Sequence, residues 1–275
     1  MKDKKSDIKA AETLLRTNER NCVGACGRFL SLNETKGHVW MLNEITTSPS
    51  ALLIYSRSTI IPVLCGKKEI PSPDFLKEYV KKKKIHSLQG QKEDALVLEE
   101  KLKQMGAQPS DIYDYDLMSL DMQPDQQCFS SGPENLVLRV PHLIDLDAIA
   151  PLQAAYEKEE VLPSGSSLSP ASSRVNLAHI IAKEQMLCAQ INGRIVGKIN
   201  INAVSFTRYQ VGGVYVHPDF RGMGIARRMA AEFIASLINT GRGVTLFVKK
   251  ANTHAQRLYL GLGFTVSGDY RITYF

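Results

Sequence analysis

The sequence predicts an α/β protein in two parts, with strands and helices layered against each other. Three observations carry this. Short β-rich runs alternate with helical segments along all 275 residues, the pattern of layered mixed structure. A polar stretch from Asp121 to Asn135, interrupted by Pro and Gly, divides that pattern. In the second half a strand runs through a tight glycine turn straight into a helix. The expected division is an N-terminal α/β domain over 1–125, a linker over 126–135 and a second domain over 136–275, each long enough to bury its own core.

Residues 6 to 19 place Ile8, Ala11, Leu14 and Leu15 at helical spacing behind Ser6 or Asp7 as N-cap. His38–Glu44, Ala51–Tyr55 and Thr59–Leu64 read as strands, with Ser56-Arg57-Ser58 turning the second into the third. Pro71 and Pro73 introduce a helix from about Asp74 to Lys83. A strand at Ile85–Leu88, a helix over Lys92–Met105 closed by Gly106 and a strand at Ile112–Leu120 complete the first half.

After the gap come a strand at Leu136–Val140, a helix near Asp145–Glu157, a Ser/Gly/Pro loop at 163–170 and a helix over 171–183. Strands near 186–191 and 195–203 flank Asn192-Gly193, a type I′ hairpin signal. Gln210–Val216 is the next strand, followed by a helix over 223–239, a strand over 244–249, a helix over 253–261 and a closing pair of strands within 264–275.

Composition excludes several classes. Hydrophobic residues are 44% and charged residues 23% of the chain, and no run approaches the roughly 20 apolar residues of a membrane span. The charged start, Met1 to Asp7, leads into no apolar segment, so a cytoplasmic address is expected. The net charge of +6 owes part of its excess to Lys81–Lys84 at a helix end. Neither a zinc-finger spacing nor interleaved aromatics point to nucleic acid. Five scattered cysteines suit reduced thiols. Cys22 and Cys26 share a helical face, but no second pair or nearby His completes a metal set.

The stretch Val211 to Ala226 is the most informative. Gly222 and Gly224 let backbone N–H groups approach an anion, and the helix that follows presents its unpaired donors and positive dipole end. Ile225, Met229, Phe233 and Leu237, four apart, fix that helix on the sheet. The stretch is neither a G-x-x-x-x-G-K-[ST] loop nor a dinucleotide fingerprint, which removes nucleotide hydrolysis and nicotinamide binding.

Arg221-x-x-Gly224-x-Ala226 resembles the R/Q-x-x-G-x-G/A signature of the GNAT N-acetyltransferase superfamily. Downstream, Asn252 opening a helix, Tyr259 near its end and Gly263-Phe264 starting a strand resemble that family's second half. The resemblance covers element order from Leu136 to Phe275. It implies a mixed, mostly antiparallel sheet flanked by helices over 136–275, with acetyl-coenzyme A as co-substrate, an amine acceptor and no metal.

Residue by residue, the resemblance implies that Arg221, Gly222, Met223, Gly224, Ile225 and Ala226 hold the pyrophosphate, and that Val214 and Val216 contact pantetheine and carbonyl. It also implies that Asn252 binds the coenzyme arm while capping its helix. Tyr259, with a reference pKa of roughly 10 against roughly 8.5 for a thiol, is the expected acid for the departing sulfur. Without the family pattern, Asn252 is equally an N-cap and Tyr259 a core residue; Arg227 and Arg228 read as reaching a phosphate or as an exposed face. The strand 210–216 carries no carboxylate where relatives often have a Glu. Glu159 and Glu160, before the Ser/Gly/Pro loop on the acceptor side, are the substitutes, and solvated loop charges are the plainer reading. His217 and His254 read as surface residues.

The first half lacks the signature and loosely resembles a degenerate half of the same fold, expected to close the acceptor cleft or meet a partner. The reading that follows is direct acyl transfer to an amine, with a non-catalytic coenzyme A-responsive module as the alternative. Acceptor identity and oligomeric state are not encoded in these patterns.

Overall fold

The structure, a computed structural model, describes residues 5–35, 37–42, 51–70, 74–163, 165–167, 169–183 and 185–275. The expected strand end at 43–44 and the helix-introducing Pro71 and Pro73 lie outside them. Helix α1 (Lys5–Asn18) buries Ala11 and Leu15 fully, as its periodicity requires. It is followed by α2 (Val23–Leu30), which sequence reading did not place, and the short α3 (Leu32–Thr35). Cys22 and Cys26, their sulfurs 3.8 Å apart, are buried with Ala11 and Leu15 in the core under these helices. Then come β1 (His38–Met41), β2 (Leu52–Ser56), β3 (Thr59–Val63), α4 (Asp74–Lys81), β4 (Ser87–Gln91), α5 (Lys92–Gln104) and β5 (Asp111–Leu120).

The second half contains β6 (Leu136–Arg139), α6 (Leu146–Tyr156), α7 (Pro170–Ala182), β7 (Met186–Ile191), β8 (Arg194–Val204) and β9 (Arg208–Val216). It ends with α8 (Ile225–Ile238), β10 (Gly243–Lys249), α9 (Thr253–Gly261) and β11 (Thr265–Tyr274). Instead of the expected closing pair of strands, β11 is one strand of 10 residues. Its register shifts between Val266 and Gly268, so the apparent break in the sequence is a bulge at Ser267. The positive φ of Asn192 and Gly193 fits the expected I′ turn between β7 and β8.

All strands form one mixed, mostly antiparallel sheet in the order β1-β2-β3-β4-β11-β5-β10-β9-β8-β7-β6. The two halves repeat one order: a parallel pair joined by a helix (β3-α4-β4, then β9-α8-β10), another helix (α5, then α9), and a last strand (β5, then β11). The last strands are exchanged. β11 pairs with β4 of the first half, and β5 pairs with β10 of the second. The sheet therefore runs unbroken through both halves.

Alternation sends Val196 and Val216 to the core under α8, and Ile195 and Tyr215 to the core under α6, so these helices cover opposite faces. The segment 126–135, read as a linker, contains a 3₁₀ turn at Gln126–Ser130. It buries Cys128, whose thiol donates to the Gly261 carbonyl at 3.3 Å. Among the described residues no helix is long and apolar enough to cross a membrane, and no group of three or more His, Cys, Asp or Glu could hold a metal ion.

Candidate active site

The site forms where two parallel strands part. β9 and β10 pair only at Arg208–Gln210 with Gly243–Thr245, and beyond this their far ends share no ladder. A wedge opens between them. β9 is also distorted against β8, whose register shifts twice, between Lys198 and Asn200 and between Ile201 and Ala203. Gly213 lies in this stretch with φ +61°, and a side chain there would overlap Asn200. Lys198, wholly buried, donates from Nζ to the Gly213 carbonyl at 2.8 Å and to Asn200 Oδ1 at 3.3 Å, with Nζ 4.5 Å from the centre of the Tyr156 ring. Burial pulls its ammonium down to about 7, with Cys188 and Glu157 acting the other way. Nothing in the local sequence distinguishes Lys198 from a surface lysine.

Past β9, the chain turns at Pro218–Phe220 and enters α8 through Gly224, whose φ of +78° only glycine adopts freely. Gly132 of the 126–135 segment packs against Gly224 so closely that a side chain on Gly224 would strike its backbone nitrogen. The loop is thereby braced from outside the motif. A cleft of about 880 Å³ opens over it. Val214 and Val216 of β9 line this cleft, as do Arg221, Gly222, Gly224, Ile225 and Ala226 of the loop and helix start. Met223 does not line it and is 46% exposed. Arg227, Arg257 and His254 also border the cleft, giving the wall a positive bias that suits an anion. His254 is exposed, as expected, and borders the cleft as well, while Arg257 and Ser131 were missed because their positions carry no spacing signal.

Asn252 caps α9, accepting from Ala255 N at 3.1 Å, and its other amide end donates to Glu160 Oε1 at 3.2 Å. The cap, one of the two readings the sequence left open, is thus formed, and Asn252 also lines the cleft. Tyr259 lies on the same helix, 7% exposed, edge-on to Phe264 at 5.8 Å. Burial raises its hydroxyl above the usual tyrosine range, and Tyr156 and Glu160 add to this. No hydrogen bond engages that hydroxyl among the described residues.

The two glutamates part company. After α6 the chain widens into a π turn at Glu157–Val161. Glu159 accepts from the Tyr215 hydroxyl at 2.6 Å and from Arg221 at 2.9 Å, so it is tied to the loop. Those hydrogen bonds, Tyr215 first, lower its pKa against the opposing effect of burial. Glu160 points the other way, 3.5 Å from Lys249 Nζ. It borders both the large cleft and a second cavity of about 280 Å³. Val214, Asn252, Ala255 and Tyr259 are shared by both as well.

A strand, a glycine turn and a helix start, followed by a capped helix that carries Tyr259, stand in the order that the family resemblance implied. Residues 152–264 match the model of the acetyltransferase (GNAT) family. This stretch is a GNAT-family domain. Its relatives in structure include whole chains built like this one. A Drosophila protein superposes with TM-score 0.64 at 11% identity, over 99% of this chain and 97% of its own. A GCN5-related N-acetyltransferase from Kribbella flavida gives 0.59 at 13% identity, covering 91% and 93%. Another from Sphaerobacter thermophilus gives 0.55 at 18%, covering 98% and 92%. At these identities the likeness is one of fold, and it extends through both halves flanking the GNAT domain's wedge. No curated protein sequence matches the chain.

Proposed function

We propose that the protein transfers an acetyl group from acetyl-coenzyme A to a small amine by direct attack. The observation that carries this reading is the meeting of two cavities at Val214, Asn252, Tyr259 and Glu160. One is a cleft over an anion-binding loop, and the other approaches the same point from the opposite strands. The larger fits the coenzyme: free N–H groups at the start of α8 and the side chains of Arg221, Arg227 and Arg257 suit phosphates. The pantetheine arm then follows β9 past Val214 and Val216, where β10 has diverged, although the Val216 carbonyl already accepts from Arg221 Nε at 3.0 Å.

In this reading the amine nitrogen enters through the smaller cavity and attacks the thioester carbonyl carbon. The C–S bond breaks, the electron pair leaves on sulfur and the amine loses a proton. Glu160, the carboxylate at the junction, takes that proton. Glu159 is already held by Arg221 and Tyr215 and stays on the donor side. Tyr259 faces the departing sulfur. Its raised pKa keeps it protonated at neutral pH, so it donates a hydrogen bond as negative charge collects on sulfur. Because tyrosine is a weaker acid than a thiol, that hydrogen bond is the larger part of its contribution.

Free-thiol release over a panel of amines tests the reading, alongside calorimetric titration with coenzyme A. Turnover with at least one amine, reduced in Glu160→Gln while coenzyme binding persists, is the expected result. Coenzyme binding with no turnover on any amine would instead make the protein a coenzyme A-responsive module.

A further inference from the structure

The smaller cavity has a composition of its own. It is walled by Tyr115 of β5, Tyr156 at the end of α6, Phe247 of β10 and Tyr274 of β11. Two of these walls come from the exchanged strands, so neither half builds the cavity alone. Tyr115 and Phe247 meet edge to face at 5.2 Å and 76°, and Tyr270 stacks on Phe247 at 4.9 Å and 5°, so an aromatic cluster backs this side of the lining. The Tyr274 hydroxyl donates to the Val161 carbonyl at 3.2 Å, fastening the exchanged strand to the π turn that carries Glu160. Both residues belong to the cavity's lining.

Its charges cancel. Glu160 and Lys249 are the charged residues among those lining it, and they lie 3.5 Å apart. The remaining polar groups are tyrosine hydroxyls and the amides of Gln89, Asn202 and Asn252. Its volume of about 280 Å³ exceeds the roughly 150 Å³ that admits a benzene ring, yet falls at the floor of ordinary ligand pockets, about 300 Å³.

Resting on the acetyl-transfer reading above, we infer that the acceptor is a primary amine on a short arm bearing one planar apolar ring and no carboxylate. The ring packs among Tyr115, Tyr156 and Phe247, and the amine nitrogen lies at the Glu160 and Tyr259 end. A free aromatic amino acid fits less well. Its carboxylate would have to displace Glu160 from Lys249 or go unpaired in an aromatic enclosure. A lysine side chain in a polypeptide fits less well too, because its thin alkyl arm leaves the ring faces unfilled.

The test compares kcat/KM for thiol release by the full chain with 2-phenylethylamine, phenylalanine, n-butylamine and a short lysine-containing peptide. Phenylethylamine is expected to exceed each of the others by about tenfold or more, the range one well-filled pocket gives. In Tyr274→Ala and Tyr115→Leu, checked for native circular dichroism, KM for phenylethylamine rises about tenfold while KM for acetyl-coenzyme A is unchanged. Equal or better rates with phenylalanine or the lysine peptide overturn the inference and leave acyl transfer standing. So does an unchanged phenylethylamine preference in both folded variants. Coenzyme binding without turnover on any amine overturns the transfer reading, and this inference with it.

Discussion

Arg221 donates to Glu159 Oε2 at 2.9 Å, so the arginine that opens the glycine loop before α8 is already engaged by a carboxylate of the π turn. The pair is about half exposed, with side-chain accessibilities of 49% and 44%. Under the proposed function, a coenzyme phosphate competes with Glu159 for the same guanidinium and is repelled by the same charge. Glu159→Gln is therefore expected to tighten coenzyme A binding by up to about fivefold, the scale of an exposed pair. The gain shrinks in high salt. Arg221→Ala weakens binding by about tenfold through loss of a charged hydrogen bond. Titration calorimetry at two salt concentrations reads both, and weaker binding by Glu159→Gln would refute the competition.

Tyr259 offers a hydroxyl and little else to the wedge, since its ring is packed against Phe264. Tyr259→Phe keeps that packing and is expected to cut kcat by about a hundredfold with KM for acetyl-coenzyme A nearly unchanged. An unaltered kcat would remove its role toward the departing sulfur.

Lys198 makes stability depend on pH in an unusual direction. Its folded pKa of about 7 lies below its ordinary value of 10.5, so between these pH values the unfolded chain holds a proton that the folded chain has released. Folding stability then rises with pH across that window, and the full cost of burying the charge is present below pH 7. Thermal melts should show Tm increasing from pH 7 to pH 9 in the native protein, and the increase should be smaller in Lys198→Met. A Tm profile identical in the two would mean that the amine titrates normally.

The exchanged strands predict that the halves do not separate. On β11, Arg271 donates from Nε to Asp114 Oδ1 of β5 at 2.8 Å, and Thr273 donates to Glu99 Oε2 of α5 at 2.8 Å. Arg271 and then Lys92 hold the Asp114 carboxyl down to about 2 despite partial burial. Its stabilising effect is present above pH 4 and is lost as pH falls through 2. Arg271→Leu is expected to cost about 2 kcal/mol in a urea melt, because it removes charged hydrogen bonds and leaves Asp114 to Lys92 and Glu99 to Lys103 and Thr273. A fragment of residues 136–275 lacks β5, which separates β10 from β11, and should show no cooperative melt by circular dichroism. A native-like melt for that fragment would show the exchange to be dispensable.

Local patterns were legible in the sequence, because each depends on residues a few positions apart. Gly222 and Gly224 before the four-residue repeat of α8, Asn192-Gly193 between β7 and β8, and Asn252 seven residues before Tyr259 report turn geometry and helix phase directly. Helix α2 escaped because Gly24 and Gly27 dilute its period. The bulge at Ser267 imitated a turn.

The sequence by itself determined most of the element order of the second half, the glycine turn that opens α8 and the cap of α9. Tertiary structure decided which strand lies beside which. Alternation tells a strand which faces to bury but not which neighbour to take, so the exchange of β5 and β11, and the aromatic cavity it walls, had no local sign. It also decided the fates of adjacent or unremarkable side chains: Glu159 turned to Arg221, Glu160 to Asn252 and Lys249, and Lys198 buried under Tyr156. Each of these outcomes rests on contacts between residues far apart in the chain, whose distances only the folded sheet sets.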